Sequence, residues 1–107
     1  MRLPSHKTSP MLVGACRITL HLHASQSLKD KRSTVKSVLA RLHREMNVAA
    51  AEVDTLDLWQ IATIGVVCVS NSAAHADEML AKAVRFVERA APEAELTDYE
   101  TDVQQAL

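Results

Sequence analysis

The run SLKDKRSTVKSVLARLHREM, Ser27 to Met46, decides how the rest of the chain is read. Ser27 followed by Asp30 is a capping box, in which the serine hydroxyl satisfies one of the orphan N–H groups at a helix start. At about 100° per residue, Leu28, Val35, Val38, Leu39, Leu42 and Met46 fall in one apolar stripe, wide enough to dock on a sheet. The charge on this helix is unusual. Ser27–Met46 holds six of the twelve Lys and Arg residues, against only Asp30 and Glu45. Lys29, Lys31 and Arg32 occupy the first turns, where the helix dipole disfavours each cation by roughly 0.3–1 kcal/mol. Arg32 and Lys36 add a like-charge pair at i, i+4. A local rule broken without local gain marks a candidate site.

Upstream, Leu12–His23 alternates, with Leu12, Gly14, Cys16, Ile18, Leu20 and Leu22 on one face and Val13, Ala15, Arg17, Thr19, His21 and His23 on the other. That is a strand with one face committed to a core. Met1–Pro10 carries two prolines and no periodicity, so it is expected to be a flexible tail preceding a single domain over 11–107. Met11 is a candidate start. Downstream, Asn47–Asp54 is expected to be a second strand, and Thr55–Gln60 a polar loop carrying the lone tryptophan. Ile61–Ser70 is continuously apolar and β-branched, as a central strand covered on both faces should be. Asn71 and Ser72 offer N-caps for a second helix, Ala73–Ala90, closed by Pro92. Glu95–Thr101 alternates again and, with its charges, suits an edge strand. The order βαββαβ predicts an α+β, ferredoxin-like sandwich: a four-stranded antiparallel sheet with two helices on one face, its first and third strands central.

The chain has 107 residues, 48% of them hydrophobic, and a net charge of −1, as for an ordinary globular chain. No apolar run reaches the ~18 residues of a membrane helix, and the first ten residues lack a signal peptide's apolar stretch. Cys16 and Cys68 sit inside apolar strands and are expected to be reduced, buried and inert, in keeping with a cytoplasmic location. Overall neutrality hides an asymmetry. The first helix is basic, whereas Pro92–Leu107 carries Glu93, Glu95, Asp98, Glu100 and Asp102 and no base.

MLVGACRITLHL at Met11–Leu22, SLKDKRSTVKSVLARL, AEVDTLDLWQIATIGVVCVSN and LTDYE follow one another in an order and spacing that resembles the YlxP-like family of small bacterial proteins of unknown function. The likeness spans Met11 to about Glu100. It implies a ferredoxin-like fold. Genes of that family tend to lie beside those for transcription termination, translation initiation and ribosome maturation factors, which implies a link to RNA or the ribosome by association.

The leading expectation is a non-enzymatic protein that contacts structured RNA, ribosomal RNA included, by phosphate contacts from Lys29, Lys31, Arg32, Lys36, Arg41 and Arg44. Lys31 falls beside the apolar stripe and is expected to snorkel past the sheet edge. Base stacking in the manner of an RRM is disfavoured, because Ile61–Ser70 has no aromatic residue; Trp59 is expected to anchor its loop on the core. The alternative is a dimeric protein-binding module, paired through the open sheet face at Val13, Ala15, Ile64 and Val66. An acylphosphatase-like reaction is disfavoured, since Ala24–Ser27 lacks the glycines of a phosphate cradle. Gly14 and Gly65 lie mid-strand and suggest close approach of neighbours. His21 and His23 share a strand face, but no CxxC or HExxH motif supplies further ligands, so neither a metal nor a small-molecule cofactor is expected.

Overall fold

The computed structural model describes residues 8–107. The expected tail falls mostly on residues 1–7, outside the described residues; residues 8–11 carry no helix or strand. The elements run β1 (Leu12–His21), α1 (Leu28–Glu45), β2 (Ala49–Asp54), β3 (Ile61–Ser70), α2 (Ala73–Ala90) and β4 (Glu95–Gln105). They form an antiparallel sheet in the order β2-β3-β1-β4, with β1 and β3 central. This is the ferredoxin-like α+β arrangement that the alternation of periods implies. The last strand runs four residues beyond the predicted Thr101, because the ladder with β1 continues to Leu12↔Gln105.

Both helices start where the caps place them. Ser27 Oγ accepts from Asp30 N at 3.0 Å, and Asp30 Oδ2 accepts from Gln26 N at 3.0 Å. Ser72 Oγ accepts from His75 N at 3.3 Å. The core lies between the helices and one sheet face: Cys16, Ile18 and Leu20 of β1 and Ala62, Ile64, Val66 and Cys68 of β3 meet Val35, Val38 and Leu42 of α1 and Leu80, Ala83 and Val87 of α2. Each fully buried Ile or Leu there stabilises the fold by roughly 1.5–3 kcal/mol. Gly14 lets α2 settle on β1, since a Cβ there would stand 2.9 Å from Cys68 Sγ and 3.2 Å from Leu80 Cδ1.

The register corrects half of the expected dimer face. Cys16 pairs with Val66 and Ile18 with Ile64, and cross-strand partners share a face. Ile64 and Val66 therefore point into the core, where they are 0% and 1% exposed. Val13 and Ala15 pair with Val69 and Val67 on the opposite, helix-free face. The same face carries Arg17, Glu100 and Asp102, with Arg17 Nη1 3.2 Å from Glu100 Oε1.

Candidate functional site

The basic helix divides into two unequal parts. Lys29, Arg32 and Lys36 are exposed and span about 60° of the helical wheel. Among the described residues none of them takes part in an ion pair. Arg44 is also exposed, with Nε 3.7 Å from Glu45 Oε1. Arg41 is turned elsewhere: its Nη1 donates to Ala90 O at 3.0 Å, satisfying a carbonyl at the end of α2, where a cation is favoured by the dipole.

Lys31 is not a surface residue, which corrects the expectation that it reaches solvent. It is 0% exposed, in line with Val35, Val38 and Leu42 on the buried stripe. Its ammonium donates to three carbonyls, Thr55 O at 2.7 Å, Leu56 O at 3.1 Å and Ile61 O at 3.3 Å. Three protons thus meet three acceptors. Glu52 Oε2 lies 2.9 Å away as well, but without hydrogen-bond geometry and with no other partner. The carboxylate is therefore a charge partner, and the carbonyls hold the protons. Lys31 cannot contact an RNA phosphate in this fold.

What Lys31 does is clamp the β2–β3 loop from beneath. Thr55 adopts φ 57°, a left-handed conformation that costs a β-branched residue on the order of 1–3 kcal/mol. The conformation is held by Thr55 N donating to Asp54 Oδ1 at 2.8 Å and by a 3.0 Å contact between the Thr55 and Thr63 hydroxyls. Gln60 ties the loop to the end of β1, its Nε2 donating to His23 O at 3.2 Å and Ser25 O at 3.1 Å. Because the inner side of the loop is backbone carbonyl aimed at an ammonium, its apolar side chains turn outward. Trp59 is 54% exposed, Leu56 57% and Leu58 47%. The expectation that Trp59 anchors the loop on the core is thus overturned. Asp57–Ile61 and Ser25–Gln26 border a shallow hollow of about 470 Å³.

The cysteines are free and buried. Burial, assisted by the Glu100 carboxylate, pushes the Cys16 thiol up to about 11, and burial also raises Cys68. Neither thiol is an activated nucleophile. Among the described residues no helix is long and apolar enough to cross a membrane.

Known proteins resemble the chain at two levels. A Bacillus subtilis (strain 168) protein, "Uncharacterized protein YlxP", is 29% identical over 91 residues, covering 85% of this chain and 98% of that protein. Two solved structures are far more distant, each at a TM-score of 0.46. The de novo designed protein Foldit4 is 15% identical, with 91% of this chain and 99% of that one covered. SnoaB, a cofactor-independent oxygenase from Streptomyces nogalater, is 14% identical, with 92% and 94% covered. Neither likeness carries a functional argument. The model of the family DUF503, described as a protein of unknown function, matches residues 13–101, and the chain belongs to that family.

Proposed function

We propose that the protein binds the phosphate backbone of a structured RNA, ribosomal RNA being the first candidate, along the exposed flank of α1, and that it catalyses no reaction. The observation that carries this reading is a cluster of three exposed cations on one flank of α1 that, among the described residues, take part in no ion pair. Lys29, Arg32 and Lys36 stand together on the helix layer, whereas Asp98, Glu100 and Asp102 lie across from Thr19, Arg17 and Ala15 on the other side of the sheet. Lys29 and Arg32 oppose the helix dipole, and Arg32 and Lys36 repel each other; a row of phosphates would reverse both penalties. Arg44 extends the positive flank. Lys31 and Arg41 are not part of it, because one clamps the loop and the other caps α2.

The test is fluorescence anisotropy of the full chain with a structured ribosomal RNA fragment over a salt series. Three phosphate contacts would give a log–log salt slope of roughly −2 to −3. The charge-reversed variant K29E/R32E/K36E should lose binding while keeping its fold, since all three side chains are exposed. An affinity unchanged in that variant, or insensitive to salt, would refute the reading.

A second reading has its own observation. Val53, Val67 and Val69 are 53%, 40% and 61% exposed; Val67 and Val69 lie beside Ala15 and Val13 on the helix-free face, and Val53 packs over Gly65 there. This strip suits self-association through the sheet, in which case the basic helix is left as a solvated surface.

A further inference from the structure

The third ligand that no sequence motif supplies for His21 and His23 comes from the neighbouring strand. Glu95 opens β4 and pairs in register with His21, so the two side chains share a face. His21 and His23, at alternate positions as β1 runs out, turn to the same side, with ring centroids 3.9 Å apart. His23 Nε2 lies 2.8 Å from Glu95 Oε1. A ligand atom from each of the three residues lies within 4.8 Å of the other two.

We propose that His21, His23 and Glu95 form a binding site for a divalent transition metal, with Zn2+ the best match to two imidazoles and a carboxylate. Tetrahedral bonds of about 2.0–2.1 Å put ligand atoms roughly 3.3 Å apart. From a spacing within 4.8 Å, closing to that distance is a shift of about 1.5 Å at most between side-chain tips. The backbone is already held. Beyond the last ladder pair, Leu22 N donates to Gln60 O at 2.7 Å, and the Gln60 side chain donates to His23 O. Gln60 is therefore a positioning residue for His23, acting through the backbone that carries it. Three protein ligands leave a fourth position for water or for an oxygen ligand, as in open zinc sites. His23 and Glu95 are well exposed, so that position faces solvent. The site is at the start of β4, whereas Glu100, beside Arg17, lies midway along that strand, and the site does not depend on the RNA reading.

The experiment is calorimetric titration of Zn2+ alone into the metal-stripped full chain, paired with the visible spectrum of the Co2+-loaded protein. Wild type should bind one equivalent of Zn2+ and give the absorption of tetrahedral Co2+. The variant H21A/H23A should lose both signals. E95Q, which keeps the side chain's size, should weaken Zn2+ and change the Co2+ spectrum. Q60A should weaken Zn2+ by about 10-fold, the usual effect of removing a group that orients a ligand, while keeping the spectrum's form. H43A, on α1, should change neither. If H21A/H23A melts early without metal, H23Q replaces it and should lose the tetrahedral spectrum. No uptake by wild type, or uptake and spectrum unchanged in the histidine variants, would overturn the site.

Discussion

Replacing Lys31 with methionine tests the central claim about the loop. Methionine keeps the unbranched apolar stem of the lysine up to its last carbon and removes the ammonium. Glu52, whose side chain is 12% exposed, then loses its counter-charge, and the carbonyls of Thr55, Leu56 and Ile61 lose their donor. Removing one partner of a buried pair costs on the order of 3–5 kcal/mol, because the other is left charged and uncompensated. Against a typical domain stability of about 5–15 kcal/mol, that is a large share. At about 4 °C per kcal/mol for a chain of this size, K31M should lower Tm by roughly 12–20 °C. Urea denaturation of wild type, K31M, E52Q and K31M/E52Q closes a double-mutant cycle. The double variant should be more stable than K31M, since it buries no lone charge. Trp59 fluorescence reports the loop directly and should change in K31M at urea concentrations below the global transition. K29M, on the exposed flank of the same helix, should stay within about 0.5 kcal/mol of wild type. A K31M protein within about 1 kcal/mol of wild type, or a double variant no better than K31M, would refute the clamp.

Two further outcomes follow from the sheet. Val69→Glu should shift any wild-type dimer to a folded monomer in sedimentation velocity, because Val69 is 61% exposed; a wild type that is monomeric at all concentrations, or a dimer that survives the change, removes the self-association reading. Cys16 gives a pH dependence. Its thiol is raised from 9.0 to about 11 in the folded protein, so the unfolded chain releases that proton first and stability falls as pH rises from 9 to 11. Subtracting the Cys16→Ala profile from that of wild type isolates this loss, which should be complete above pH 11; a flat difference across the window contradicts the burial of the thiol.

Much of the architecture was legible because it rests on local periodicity. The cap at Ser27, the alternation in β1 and the order of elements each follow from a short window of sequence. Orientation within β3 was not. Ile61–Ser70 carries apolar residues on both faces, so its own pattern cannot say whether Ile64 or Gly65 looks at the helices; only pairing with Ile18 and Cys16 decides it. The helical wheel did place Lys31 at the stripe, but a wheel gives an angle and not what lies across from it. Its partners, Glu52 and the carbonyls of residues 55, 56 and 61, are brought there by the turn between β2 and β3. The same ammonium explains why Trp59 is turned out: the space under the loop is occupied. By sequence Glu95 belongs to the acidic C-terminal segment, and only the β1–β4 register sets it beside His21.

The order β2-β3-β1-β4 has a kinetic meaning for a chain emerging from the ribosome. The central strand β1 gains its first neighbour once residue 70 is available, but its other edge stays open until β4 is made, since Leu12 closes on Gln105. At about 5–20 residues per second this leaves one edge of β1 unpaired for a few seconds. Such an edge is a template for pairing with other chains. With its charges, β4 is thus the last of the four strands to arrive and cover the open edge of β1, and the sheet is completed only by contacts between residues far apart in sequence.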